Sequence, residues 1–318
     1  MKKTILFTAL VALLFAVSCA NSKLENATKK RAPERQMWND EGYGPLYGDV
    51  ESVVITEYNV TEKFGEVVKE GVSNKKVYRF NDRGDVIEDA RYYSDGSLSG
   101  KIILKYDSQG NMIERAYYNS DGSLDSKSLY KYDSKGNKIE TALYNSEGSL
   151  NWKSRCKYDS QGNQIEKASY NSDGSLSGKI ILKYDSKGNQ IERAEYNSDG
   201  SLDRKYLYKY DSQGNKIEKA KYNSYGSLDW KYLYKYDSQG NKIEEAYYNS
   251  DGSLKRKYTY KYDSKGNNIE RAWYNRDGSF SLKDTYKYDS QGNMIEGICY
   301  EGEMMKPTQM IVINIIYR

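Results

Sequence analysis

Histidine is absent from the 318-residue chain. That removes the commonest general base, proton shuttle and zinc ligand together. Cysteine is scarce, and Cys19, Cys156 and Cys299 form neither a metal-ligand set nor a disulfide framework. Proline occurs only at Pro33, Pro45 and Pro307. The long stretch between the last two is free of it, as an unbroken β-ladder requires. Net charge is small, at +4, and removing Lys2 and Lys3 leaves 47 basic against 45 acidic side chains. Such a balance exerts no electrostatic pull on nucleic acid. Apolar residues are thin too, at 37% of the chain with a mean hydropathy of −0.92. No thick globular core can come from that. So polar a composition is compatible with disorder, but its aromatics and strict turn chemistry point to order.

What the chain does hold is tyrosine, 34 copies of it, and a repeat. The run Lys-Tyr-Asp-Ser-x-Gly-Asn begins at Lys105, Lys131, Lys157, Lys183, Lys209, Lys235, Lys261 and Lys287, always 26 residues apart. A worn copy precedes them at residues 79–85. A fixed period of this length means a repeat architecture. Each copy carries two turn signals, Asp-Ser-x-Gly-Asn (Asp133 to Asn137) and Asn-Ser-Asp-Gly-Ser (Asn119 to Ser123). Both suit a type I turn followed by a left-handed glycine. In such hairpins Tyr118 is expected to face Leu124, Ala116 to face Ser126 and Tyr132 to face Lys138. Trp152 and Trp230 would then meet Ala142 and Ala220, and Gly100 would meet Ala90. Tyr118, Tyr130 and Tyr132 would share one face, with Ile113, Lys127, Leu129 and Lys131 on the other. The expected fold is all-β: tandem 26-residue antiparallel hairpins in one elongated, twisted sheet. At about 10 Å per repeat, eight copies would span about 80 Å.

The flanks complete the order. Residues 1–18 read as an export signal, with Lys2 and Lys3 followed by an apolar run. The ending Ala16-Val17-Ser18-Cys19 resembles a bacterial lipobox, which implies a lipid anchor on Cys19. The family more often has Leu where Ala16 stands. With no Asp after the cysteine, the resemblance implies an outer-membrane lipoprotein. Residues 19–48 read as a flexible tether. Residues 49–78 read as N-terminal cap strands, 79–300 as the hairpin repeats and 301–318 as a closing strand. The closing strand contains the apolar run Met310 to Tyr317.

The run Tyr-Lys-Tyr-Asp-Ser-Gln-Gly-Asn, as at Tyr208 to Asn215, resembles the YD repeat of the RHS proteins over about Val77 to Gly297. That resemblance implies antiparallel hairpins wound into one continuous sheet. Large members curl the sheet around a C-terminal toxin. This chain is shorter, its period is longer, and no separate domain follows its repeats, so the toxin role does not carry over. MORN-variant repeats are a second resemblance. Choline-binding wall repeats are a third, lacking here their recurrent Gly-Trp.

No catalytic set is visible. Glu114, Glu140 and Glu166 recur once per repeat and read as strand-surface charges, so no enzyme is expected. The Asn-Ser-Asp-Gly loop has too few acids for a calcium site, so no metal or cofactor is expected. A membrane barrel would need an apolar outer band, which neither face of the repeat offers. Two functions stay open. One is a non-catalytic, lipid-anchored envelope scaffold for structural or interaction roles. The other is a module holding a glycan, or another surface protein, on the row Tyr118, Tyr144, Tyr170, Tyr196, Tyr222, Tyr248 and Tyr274. A parallel row runs through Tyr132, Tyr158, Tyr184, Tyr210, Tyr236 and Tyr262. Nucleic acid is not expected as a partner.

Overall fold

A computed structural model describes residues 45–318. The signal segment, Cys19 and most of the tether lie outside the described residues. The first strands are β1 (Val50–Lys63), β2 (Glu66–Phe80), β3 (Val86–Tyr92), β4 (Leu98–Tyr106), β5 (Met112–Asn119), β6 (Leu124–Tyr132), β7 (Lys138–Asn145), β8 (Leu150–Tyr158), β9 (Gln164–Asn171) and β10 (Leu176–Tyr184). They continue as β11 (Gln190–Asn197), β12 (Leu202–Tyr210), β13 (Lys216–Asn223), β14 (Leu228–Tyr236), β15 (Lys242–Asn249), β16 (Leu254–Tyr262), β17 (Asn268–Asn275), β18 (Phe280–Tyr288), β19 (Met294–Glu301) and β20 (Lys306–Tyr317).

Each strand pairs antiparallel with the next, and β1 also pairs antiparallel with β20, from Val50↔Tyr317 to Asn59↔Gln309. The twenty strands therefore close on themselves. All-β hairpin succession is as expected, but the open, elongated sheet is corrected to a closed β-barrel. The physical reason lies beside the turns. The turns themselves are as expected: Asn119 N–H donates to Ser123 O at 2.9 Å and Gly122 N–H to Asn119 O at 3.1 Å. Gly122 sits at φ 85°, where a side chain would be strained. One pair further on, every hairpin from β2/β3 to β18/β19 carries an extra residue. Tyr118↔Leu124 is followed by Tyr117↔Ser126, and Tyr132↔Lys138 by Lys131↔Glu140. Asp125 and Ile139 are left unpaired. Bulges bend a strand and increase its local twist. One per hairpin accumulates curvature until β1 and β20 meet. Their Val and Ile side chains then cap each other rather than two separate ends.

The same bulges exchange faces. Ala116 meets Lys127, not Ser126; Trp152 meets Leu143 and Trp230 meets Lys221, not alanines; and Gly100 meets Arg91. Tyr118 and Tyr132 consequently lie on opposite faces, which corrects the single tyrosine face. Two of the expected pairs, Tyr118↔Leu124 and Tyr132↔Lys138, do form, because they precede the bulges.

Burial distinguishes the two faces. One hydrophobic cluster joins Val53 and Ile55 of β1, Tyr78 and Phe80 of β2, Ile102 and Leu104 of β4, Met294 of β19 and Ile313 of β20. Leu46, just before β1, is buried in it. Side chains from both sides of the β1/β20 seam converge in this way on the concave side of a wall, so this face is the inner one. The opposite face carries a lysine in each repeat whose side chain is 61–71% exposed.

Candidate functional site

The outer face is largely uniform, with one varied position opposite its glutamate, as Leu129, Arg155 and Thr259 show. In the seven repeats from Lys105 to Tyr286 its other positions read Lys, Ile, Glu, Ala, Tyr and Lys each time. Those identities are explained by repeat-to-repeat fit. Each first lysine pairs with the glutamate of the next strand, as Lys131 Nζ does with Glu140 Oε1 at 2.9 Å. Exposed pairs like this contribute about 0–1 kcal/mol apiece. The alanines (Ala116, Ala142, Ala168, Ala194, Ala220, Ala246, Ala272) are buried, each opposite a lysine of the next strand, as Ala116 is to Lys127.

The row Tyr118, Tyr144, Tyr170, Tyr196, Tyr222, Tyr248 and Tyr274 belongs to this outer face. Each ring is half-buried, lies opposite the leucine (or Phe280) across its hairpin, and abuts a lysine of the preceding strand. Lys101 Nζ lies 5.7 Å from the Tyr118 ring centroid and Lys179 Nζ 5.8 Å from that of Tyr196. The second row faces inward and clips strands together. The Tyr132 hydroxyl donates to Met112 O at 2.8 Å, and those of Tyr210, Tyr236 and Tyr262 donate likewise to Gln190, Lys216 and Lys242 at 2.8 Å. Burial pushes the Tyr132 and Tyr210 phenols up to about 12, so these donors keep their protons at physiological pH.

The inner face otherwise changes from repeat to repeat. One position reads Arg115, Thr141, Lys167, Arg193, Lys219, Glu245 and Arg271; the next inner one reads Tyr117, Leu143, Ser169, Glu195, Lys221, Tyr247 and Trp273. Between β11 and β18 this variation assembles rings and cations. Trp230 meets Tyr232 edge-on at 5.3 Å between centroids and Tyr247 at 5.9 Å. Tyr232 stacks on Tyr247 at 4.7 Å, and Tyr258 lies 5.1 Å from Trp273. The Arg256 guanidinium sits 5.2 Å from the Tyr247 ring, 5.6 Å from Tyr258 and 5.5 Å from Trp273, and donates to the Tyr232 hydroxyl at 3.2 Å. Lys219 Nζ lies 5.7 Å from Tyr206 and 5.5 Å from Trp230. All of these side chains stay partly exposed. Reading the turns alone missed this sector. The signal that marks it is the contrast between six constant and several variable positions across the repeats.

Chemically the sector offers flat apolar ring faces, hydroxyl donors and positive charge. That is equipment for holding a molecule. Among the described residues no three Cys, Asp or Glu side chains are placed to hold a metal ion.

No family model matches the chain, and no curated protein is significantly similar to it. Solved structures give distant likenesses. A porin-like protein from Bacteroides uniformis is 11% identical at a TM-score of 0.38, with 85% of this chain and 100% of that one covered. The Tc holotoxin pore of Photorhabdus luminescens is 12% identical at a TM-score of 0.28, covering 72% of this chain and 16% of that chain. The TcdB2–TccC3 complex without its hypervariable C-terminal region is 12% identical at 0.28, covering 74% and 19%. The chain thus spans under a fifth of the toxin chains it resembles.

Proposed function

We propose that this protein is a non-catalytic binding scaffold of the bacterial cell envelope, lipid-anchored through Cys19 at the outer membrane. Its closed YD-like hairpin barrel presents a variable inner face on a largely constant outer frame. The observation that carries the reading is the division of variation. Six outer positions are fixed and one outer position, opposite the glutamate, varies, while the two inner positions alternate among rings, cations, acids and small residues. A purely structural wall gains nothing from that variety, whereas a surface that distinguishes parts of a bound molecule does.

The wall is read as standing in water rather than in lipid. A lysine held at the bilayer midplane costs about 2–4 kcal/mol. Outer lysines recur in every repeat, at Lys105 and Lys127 and their equivalents. The anchor rests on Lys2, Lys3, the apolar run and the lipobox-like ending. Membrane fractionation with labelled palmitate tests it: wild type should carry label in the membrane fraction, and Cys19→Ser should be soluble or unprocessed. A wild-type chain without label refutes the anchor.

The glycan reading gains from a specific observation as well. Rings with hydroxyl and guanidinium neighbours suit the apolar faces and polar rims of sugars. On this reading the binding surface is the inner sector around Trp230 rather than the outer tyrosine row.

A further inference from the structure

Three cations in the aromatic sector have no carboxylate partner. Lys216, Lys219 and Arg256 make no ion pair among the described residues, whereas every nearby carboxylate is engaged. Glu195 holds Arg193 and Arg204, Glu245 holds Lys242, Asp284 holds Arg271 and Asp229 holds Lys221. The three cations are instead set against rings. Lys216 Nζ lies 4.8 Å from the Tyr208 centroid, and Lys219 and Arg256 lie among Tyr206, Trp230, Tyr247 and Trp273.

Arg256 Nε is buried without a hydrogen-bond partner. An unpaired donor on a partly desolvated guanidinium costs stability unless something accepts from it. Burial, together with Lys219 and Lys242, holds Lys216 below its usual range. Burial, together with Arg193, does the same to Lys219 against the opposing pull of Glu245. The sector therefore carries more positive charge than its own carboxylates pair with.

We propose that this inner sector binds an anionic oligosaccharide of the uronate class. Trp230, Tyr232 and Tyr247 cover sugar faces, and Lys219 and Arg256 pair with its carboxylates. The inference rests on the binding-scaffold reading and names the ligand class for it. Ring faces next to hydroxyl donors match pyranose rings with their hydroxyl rims. A partly exposed, planar guanidinium matches a carboxylate. Glu195, Glu245 and Asp284 can accept from the several hydroxyls of each sugar ring, donors that single-stranded DNA lacks although it would use the same stacking and cations. Successive uronate rings along β12 to β17 would add their contributions, because one chain presents them together.

The test uses the full chain, solubilised in detergent, with hexagalacturonate as the probe. Tryptophan emission and titration calorimetry read binding at low and high salt. Hexagalacturonate should bind, perturb emission and weaken with salt, and uncharged maltohexaose should bind less tightly. Lys219→Gln and Arg256→Gln should each weaken binding by about tenfold. Lys183→Gln on the outer face should leave it unchanged. Near-ultraviolet circular dichroism of each variant reports folding, and either inner variant alone suffices for the test. Absence of binding by the wild type overturns the proposal. So does binding indifferent to both inner substitutions, or oligothymidylate bound as tightly as the uronate. None of these outcomes bears on palmitate labelling of Cys19, so the anchor and the ligand class fail separately.

Discussion

Deleting one whole repeat, residues 183–208, should leave a folded barrel of eighteen strands in place of twenty. Deleting a single strand with its turn, residues 198–210, should not. The difference follows from closure. Antiparallel closure needs an even number of strands, so that β1 meets β20 running the opposite way, as in Ile55↔Ile313. Nineteen strands would bring the two together in parallel and dissolve that register. The seam shelters Val50, Val53, Ile55, Met310 and Ile313. Exposing five such side chains at roughly 1.5–3 kcal/mol each forfeits about 8–15 kcal/mol, comparable to a domain's whole stability. The half-repeat variant should therefore unfold, or associate through its open edges. The whole-repeat variant loses two of twenty wall strands. At 4.8 Å spacing and ordinary tilt, its radius should fall from about 20 Å to about 18 Å. Thermal unfolding and small-angle scattering read both changes. A cysteine pair at Val54 and Asn314, which face each other across the seam, reports closure in wild type and in the whole-repeat variant. Equal tolerance of both deletions, or no cross-link at the seam of the wild type, would refute a closed wall.

Further expectations concern single positions. Tyr210→Phe removes the hydroxyl that donates to Gln190 O and should cost about 1 kcal/mol in urea unfolding. Tyr196→Phe on the outer face should be nearly neutral, and equal costs would contradict the face assignment. Tyr132, Tyr210 and Tyr288 have folded-state pKa values raised by burial from 10.0 to about 12. Their stabilisation is thus complete below pH 10 and lost as pH rises through about 12. Absorbance of phenolate should rise in that window together with loss of the β-sheet circular dichroism signal. Lys183→Ala breaks the exposed pair with Glu192 at 2.9 Å and should cost under about 1 kcal/mol, a cost that high salt removes.

Much of the local structure was legible because turns are written in consecutive residues. Asp107 shows why: its Oδ1 accepts from Gln109 and Asn111 N–H at 2.9 and 2.8 Å, and its Oδ2 accepts from the Asn111 side chain at 2.9 Å. All partners lie within five residues, so the motif determines the loop unaided. Tyr78 and Phe80 stand two apart in β2, a spacing that puts both on one strand face, and both are buried. The face of every later side chain was not legible. Asp125 drops out of the ladder between Leu124 and Ser126, and no residue type there announces it. One skipped residue moves Tyr130 and Trp152 to the other side. The binding sector was hidden for the same reason, since Trp230, Tyr247 and Arg256 gather only once the faces are known.

The sequence alone determined the period, the two turns of each hairpin, the antiparallel succession and the absence of any histidine chemistry. These depend on contacts short enough along the chain for local side chains to impose them. Tertiary structure decided closure, inside against outside, and the company each ring keeps. Closure depends on bulge curvature summed over twenty strands, and on Val53 and Ile55 finding Ile315 and Ile313 some 260 residues away. No local pattern encodes a sum of that kind; it exists only when the whole wall has formed.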